Sequence, residues 1–143
     1  KHRKYKIHKA TTLTFTLGKK ETTLPLSQHC SCIIANINSY AGGSSPLPHI
    51  QFDDHKLDIL VFKNALHFFV YIALTRLIPS LHRLVSPLVQ HHQAESITLN
   101  PSPQEVFQAD GELLDWEPAK ELKIKPSNQA TLLDLRKAPF QLF

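Results

Sequence analysis

The sequence TLTFTLGKKETTLPL, residues 12–26, has the alternation of a β-hairpin and decides the class of fold. Thr alternates with an apolar residue over the first six positions, so one face of the predicted strand is apolar. That face consists of Leu13, Phe15 and Leu17. A turn is predicted at residues 18–20, and residues 21–26 form the returning strand.

Strand patterns recur along the rest of the chain, separated by turns rich in Gly, Pro, Asn and Ser. They predict strands at residues 30–36, 57–62, 96–99, 104–109, 121–125 and 131–135. Residues 30–36 are small or apolar almost throughout, which is typical of a strand buried on both faces. Cys30 and Cys32 would then share one face of that strand, where packing is their expected role.

Residues 66–78 have the spacing of a helix instead of a strand. Asn64 can cap its start, and Pro79 blocks its continuation. The segment is apolar almost all round, so it is expected to pack across a sheet or beneath a partner domain. Several strands, one helix and no βαβ rhythm predict a mainly β fold, an antiparallel β-sandwich with one amphipathic helix.

Charge is unevenly distributed along the chain, although the formal net charge is only +4. Five of the 16 Lys and Arg residues lie within the first ten positions, whereas residues 95–121 contain seven acids and one Lys. The basic end could bind anionic lipid headgroups, but a solvated edge strand protected by Lys is the favoured interpretation. Because no aromatic ladder extends beyond Tyr5, nucleic acid is not expected as a partner.

Composition and cysteine content restrict the class of protein. No apolar run approaches the roughly 20 residues needed to span a bilayer, and no secretory signal is recognisable. Cys30 and Cys32 are too close together to staple a distant loop, so a cytoplasmic, reducing location is expected. The chain begins at Lys1 and contains no Met, which indicates a piece of a longer protein.

The sequence Asp110-Gly111-Glu112 is the first candidate for chemistry. If a strand runs through it, the two carboxylates point to one face, where one of them could take a proton from a hydroxyl nucleophile. The alternative is a hairpin turn, because Asp-Gly between apolar strands is a strong hairpin signal. On spacing alone the turn is favoured.

The segment QFDDHKLD, residues 51–58, is a candidate cation site. Clustered carboxylates and carbonyl oxygens can chelate a hard cation, although a solvated turn is the favoured alternative. Residues 41–43, with two Gly, follow a predicted strand and could approach a ligand closely, but they do not match a phosphate-binding loop. The nine His residues match no zinc-site spacing and are expected to be solvated or singly hydrogen-bonded.

Taken in order, these segments resemble the C-terminal half of the bacterial diacylglycerol kinase family, which is related to the eukaryotic sphingosine, ceramide and diacylglycerol kinases. The order is a hairpin, a strand ending at Asn36, the Gly-rich residues 40–43, paired Asp residues before a strand, a helix and Asp-Gly-Glu. The resemblance covers about residues 5–135. It implies that residues 1–143 are the C-terminal β-sandwich domain of a two-domain lipid kinase, whose N-terminal ATP-binding domain is absent from this chain.

The resemblance also implies a function and a set of site residues. The chain would be the substrate-side domain of an ATP-dependent lipid kinase that phosphorylates the hydroxyl of diacylglycerol or a similar lipid alcohol. The family's general base falls on Glu112, with Asp110 as a close second. Its structural Mg²⁺ would be held by the Gln51 carbonyl, the Asp54 side chain and the Lys56 carbonyl. ATP, the phosphoryl donor, would bind mainly to the absent domain, so the isolated chain is expected to be inactive.

The sequence departs from the family pattern near both proposed ligand sites. His55 stands where the family usually has Gly, which requires either a negative φ or a left-handed turn at some cost. The family pattern has three consecutive glycines at the position of residues 41–43, and this sequence has two of them. The two acidic residues around Gly111 carry no such departure.

The same resemblance sets the expected partners and the rival functions. The expected partners are a lipid alcohol and the absent nucleotide-binding domain. Peripheral contact with the membrane is also expected, and the oligomeric state is left open between a monomer and a homodimer. The alternative from another class is a non-catalytic β-sandwich that binds lipid or protein and has lost kinase activity. A nicotinamide nucleotide kinase relative is a weaker alternative, because the spacing over residues 53–58 follows the lipid kinases.

Overall fold

A computed structural model of the chain describes residues 7, 11–36, 54–102, 107–109, 112–114 and 121–126. Within these residues it has nine strands and two α-helices, and every strand pair is antiparallel. The strands are β1 (Thr12–Leu17), β2 (Lys20–Pro25), β3 (Ser31–Ala35), β4 (Leu57–Phe62), β5 (Gln90–Ala94), β6 (Ser96–Asn100), β7 (Phe107–Ala109), β8 (Glu112–Leu114) and β9 (Leu122–Ile124). The helices are α1 (Ala65–Leu77) and α2 (His82–Val85). The predicted mainly β, antiparallel fold is confirmed, and α2 adds a second short helix.

The first hairpin belongs to a four-stranded sheet with the order β2-β1-β6-β9. Leu17 pairs with Lys20, so the turn is two residues long and the predicted third turn residue already belongs to β2. Gly18 has φ +59, a left-handed conformation that glycine adopts without steric cost. Leu13 and Phe15 of the predicted apolar face are buried, whereas Leu17, at the strand end, is 40% exposed.

The second sheet has three strands in the order β3-β4-β5. All six residues of the central strand β4 are buried, whereas every residue of the edge strand β3 is only half-buried. The prediction that residues 30–36 form the strand buried on both faces is therefore wrong, because the central position belongs to β4. The strand β5 is not predicted, because its polar sequence QHHQA has no apolar alternation.

Two apolar clusters lie on opposite faces of β4. Ile59 and Val61 point into the space between the two sheets, where they meet side chains of β1 and β6. Leu60 and Phe62 point to the other face, where they meet Tyr71 of α1. Full burial of each such side chain contributes about 1.5–3 kcal/mol. The alternation along β4 therefore joins three layers: the first sheet, the second sheet and the helices.

The two cysteines pack on different sides of the second sheet. Cys32 contacts the cluster between the sheets, whereas Cys30, which precedes β3, contacts the cluster beneath α1. The prediction that both thiols share one face is wrong, because Cys30 lies outside the alternation of the strand. Burial raises the pKa of the Cys32 thiol to about 12 and also raises the pKa of Cys30. Both thiols are neutral near pH 7 and act as packing groups.

The helix α1 covers Ala65–Leu77, one residue earlier at each end than the predicted 66–78, and the predicted capping residue is confirmed. Asn64 caps its start, because the Asn64 Oδ1 accepts a hydrogen bond of 2.8 Å from the His67 backbone N–H. The last helical residue is Leu77, two positions before Pro79, which cannot continue the backbone hydrogen bonding. None of the helices in the described part of the chain is long and apolar enough to cross a bilayer.

Several predicted features lie outside the described residues. They are the strand at residues 131–135, the Gly-rich residues 41–43, most of the basic end and residues 104–106 of the strand predicted at 104–109. Residues 107–109 of the strand predicted at 104–109 form β7. The strands predicted at 96–99 and 121–125 correspond to β6 and β9.

Candidate functional site

Glu112 lies at the start of a short strand in a two-stranded hairpin. In the pairing of β7 with β8, Ala109 lies opposite Glu112. The antiparallel pairing of β7 with β8 favours the hairpin interpretation over a single strand that runs through the motif. Glu112 is exposed. Asp110 lies outside the described residues, and the geometric argument for two carboxylates on one strand face no longer applies.

Asp54, His55 and Lys56 form a tight turn immediately before β4. His55 has φ +54, so the left-handed alternative is the one that this chain adopts. The Asp54 Oδ1 accepts a hydrogen bond of 3.0 Å from the Lys56 backbone N–H, which closes the turn. The Asp54 Oδ2 lies 4.0 Å from the Lys56 Nζ. His55 thus adopts a left-handed conformation that Gly would adopt without steric cost.

This turn fits part of a magnesium site. Two of the three predicted ligand residues, Asp54 and Lys56, are held together by the turn, and Gln51 lies outside the described residues. Oδ1 of Asp54 is engaged by the backbone, so Oδ2 is the oxygen through which this carboxylate would bind a cation. The Lys56 ammonium would have to move away from that oxygen. No group of three His, Cys, Asp or Glu side chains gathers within the described ranges, so a cation here depends on carbonyl oxygens and water.

The last carboxylate of the candidate cation segment 51–58 is buried just beyond this turn and faces a histidine instead of a cation site. Asp58 of β4 is only 3% exposed, and its Oδ1 lies 2.6 Å from the Nε2 of His91 on β5. The Gln93 side-chain amide donates a longer bond of 3.4 Å to the same oxygen. A charged residue inside the apolar sequence LDILVF was the available signal. Its partner could not be found without the register of β4 against β5.

His92, the neighbour of His91, points to the opposite face of the second sheet. Its ring lies 5.1 Å from the ring of Phe15, and its Nε2 is buried without a hydrogen-bond partner among the described residues. Burial lowers the pKa of His92, and the adjacent His91 lowers it further. The expectation of solvated or singly bonded histidines therefore fits His91 but is wrong for His92.

The described residues define a class of fold in which antiparallel sheets pack face to face and helices cover the outer face of one of them. The family model described as the YegS C-terminal NAD kinase beta sandwich-like domain matches residues 6–132. The chain belongs to this family. The match covers almost the same residues as the resemblance derived from the order of the motifs.

A solved structure gives a second comparison. A candidate diacylglycerol kinase from Bacillus anthracis str. Sterne aligns with a TM-score of 0.49 and 21% sequence identity. The alignment covers 80% of this chain and 37% of that protein, so the present chain spans little more than a third of its length. A search among curated proteins gave no significant match.

Proposed function

We propose that this chain is the substrate-side domain of an ATP-dependent lipid kinase, which phosphorylates the hydroxyl of diacylglycerol or a similar lipid alcohol. Membership of the family over residues 6–132 supports the domain assignment. The observation that carries the chemical role is Glu112, an exposed carboxylate at the first residue of β8. A hydroxyl can reach this carboxylate from solvent without any rearrangement of the core.

In this proposal Glu112 acts as a general base, with Asp110 as the second acid. ATP and its Mg²⁺ supply the phosphoryl group and neutralise charge when they are bound by the partner domain. Glu112 accepts the proton of the lipid hydroxyl while the lipid oxygen forms its bond to phosphorus and the bond to ADP breaks. A well-placed carboxylate in this role contributes a factor of about 10²–10⁴ in rate.

The turn before β4 has a structural role in the same proposal. Gln51, Asp54 and Lys56 would hold a structural Mg²⁺ through one carboxylate and two carbonyl oxygens. Asp54 lies one residue before His55, the left-handed position. A cation bound there would hold the conformation of the turn that leads into β4, the strand that contributes to both apolar clusters. This ion is distinct from the Mg²⁺ that accompanies ATP.

The experiment that tests the proposal is transfer of labelled phosphate from ATP to a panel of lipid alcohols by the full-length protein that carries this domain. Diacylglycerol, ceramide and sphingosine present hydroxyls in different headgroup settings and so distinguish the substrate class. We expect label in the organic phase for at least one of them. Binding of these lipids without any transfer of label would instead support the non-catalytic β-sandwich. In a parallel reaction with a nicotinamide nucleotide as the acceptor, label on that nucleotide and on none of the lipids would support the nucleotide kinase alternative.

A further inference from the structure

An open groove of about 460 Å³ lies on the outward face of α1. It is lined by Phe69, Ile72, Ala73, Arg76 and Leu77. Phe69 and Leu77 are 65% and 75% exposed, and they stand one helical turn before and one turn after the small, exposed Ala73. The groove therefore has a small residue at its floor and a large apolar residue at each end.

The spacing of the lining residues is that of a hole in helix–helix packing. Phe69, Ile72, Ala73 and Arg76 occupy positions i, i+3, i+4 and i+7 of one helix face. In knobs-into-holes packing, four residues of one helix enclose one side chain of the facing helix. A lipid surface requires no such recess, so the shape of this face favours a partner helix.

The core of the domain does not explain the side chains that form the groove. The inward face of α1 packs through Tyr71, which is 3% exposed and whose ring lies 5.5 Å from the ring of Phe62 on β4. Thr75, on the same inward face, is fully buried. Phe69 and Leu77 take no part in this cluster. Large apolar side chains that are left exposed side by side mark a site of interaction.

The charges around the groove are all positive. The sequence has no Asp or Glu from residue 59 to residue 94. Lys63, Arg76 and Arg83 are exposed in this stretch, and α2, which carries Arg83, packs against α1. A partner that complements this rim carries acidic side chains beside its apolar ones. A second copy of the chain would instead bring two basic rims together, which is unfavourable.

The groove lies apart from the elements that carry the proposed kinase chemistry. Glu112 belongs to the β7–β8 hairpin, and Phe107 of β7 packs against the cluster between the two sheets. The helix α1 packs on the opposite face of the second sheet, against Leu60 and Phe62 of β4. A nucleotide-binding domain that reaches Glu112 therefore contacts other elements and does not require the groove.

We propose that the outward face of α1 docks an acidic amphipathic helix of a second protein. An apolar side chain of that helix fills the hole above Ala73, and its Asp or Glu side chains pair with Arg76 and the other cations of the rim. The contact gives this domain a protein partner outside the two-domain kinase. It goes beyond the proposed function, because it requires neither ATP nor a lipid alcohol.

The test is fluorescence anisotropy of two labelled synthetic helical peptides with the full-length protein that carries this domain, without ATP or lipid. Both peptides are about three heptads long, with Leu at the a and d positions. One has Glu at the e and g positions and the other has Lys there. We expect saturable binding of the Glu peptide and at least about tenfold weaker binding of the Lys peptide.

The variant Ala73→Leu distinguishes a fitted helix from general hydrophobic adhesion. Leu makes the face more apolar but fills the hole, so binding of the Glu peptide should weaken at least about tenfold. Residue 73 is exposed and Leu is a strong helix former, so α1 is retained. Ala109→Leu, the same change at an exposed alanine of β7, is the matched control and should bind as the wild type does.

The variant Arg76→Glu tests the charge of the rim. It should weaken binding of the Glu peptide and strengthen binding of the Lys peptide, an inversion that loss of folding cannot produce. Lys125→Glu, the same reversal at an exposed residue after β9, should change neither. If Ala73→Leu does not fold, judged by circular dichroism, the inversion in Arg76→Glu decides the test.

Four results would overturn the proposal. The first is no saturable binding of the Glu peptide, and the second is undiminished binding by Ala73→Leu and Arg76→Glu. The third is binding by the 143-residue chain but not by the full-length protein, which would assign the groove to the nucleotide-binding domain. The fourth is sedimentation with phosphatidylglycerol vesicles that Ala73→Leu leaves unchanged, with no peptide bound, which would assign the face to a bilayer.

Discussion

His55 holds the left-handed position of the turn that precedes β4. A side chain in this conformation costs roughly 1 kcal/mol, because its Cβ crowds the following carbonyl oxygen. We therefore expect His55→Gly to raise the free energy of unfolding by about 0.5–1 kcal/mol, after the larger entropy of Gly in the unfolded chain is subtracted. Urea denaturation measures the change. Lys19→Gly, in the exposed turn before β2, is the control and should lower the free energy of unfolding. A decrease of the same size in both variants would contradict a steric cost at His55.

Asp54 offers a variant that separates the turn from the cation. Asp54→Asn keeps an Oδ1 that can accept the hydrogen bond from the Lys56 backbone but removes the negative charge that a cation needs. A ligand that binds only the folded state raises the melting temperature, so Mg²⁺ should stabilise the wild type. It should not stabilise Asp54→Asn. Thermal melts with MgCl₂ against NaCl at equal ionic strength measure this, and an equal Mg²⁺ shift in both proteins would remove Asp54 from the site.

At the scale of residues, contacts between near neighbours in the sequence are predictable, whereas contacts that depend on strand pairing are not. The turn at Asp54 is readable, because an Asx turn forms within three residues. The sequence allows two alternatives for the φ of His55 and does not decide between them. The contact between Asp58 and His91 joins residues 33 positions apart, and no local pattern encodes that distance.

At the scale of elements, the strand β5 shows what alternation cannot reveal. Its sequence, QHHQA, is polar, and it is ordered by pairing with the buried strand β4. One consequence is that His92 projects between the two sheets beside Phe15. The inverse error occurs at β3, whose small apolar residues imply a central strand although it lies at the edge of the sheet.

His92 is half-buried, and its position predicts how the stability of the fold responds to acid. Burial and the nearby His91 hold the folded-state pKa of His92 below its usual 6.5. The unfolded chain takes up this proton first, so the contribution is intact above pH 6.5 and is lost as the pH falls through the folded-state value. We expect His92→Phe to lose less unfolding free energy than the wild type on acidification, measured by urea denaturation on both sides of pH 6.5. An unchanged acid response in His92→Phe would contradict the assignment.

At the scale of the whole molecule, the sequence predicts the class of fold because alternation and turns recur over most of the chain. The layer order is not predictable in this way, since it follows from which strand occupies the centre of each sheet. The sequence predicts that α1 is apolar almost all round. Only the structure shows which side of the helix is buried and which is exposed. The role of Glu112 rests on family resemblance, and the structure adds its exposure and its place in a hairpin.

The most direct test of the account is the rate of phosphate transfer to diacylglycerol by the full-length protein and by its Glu112→Gln variant. We expect Glu112→Gln to lower turnover by about 100-fold or more, because the general base is lost, while ATP affinity is nearly unchanged. Asp110→Asn should also impair turnover, and Glu95→Gln, at an exposed acid between β5 and β6, should match the wild type. Wild-type turnover in Glu112→Gln would contradict the assignment of this carboxylate to catalysis.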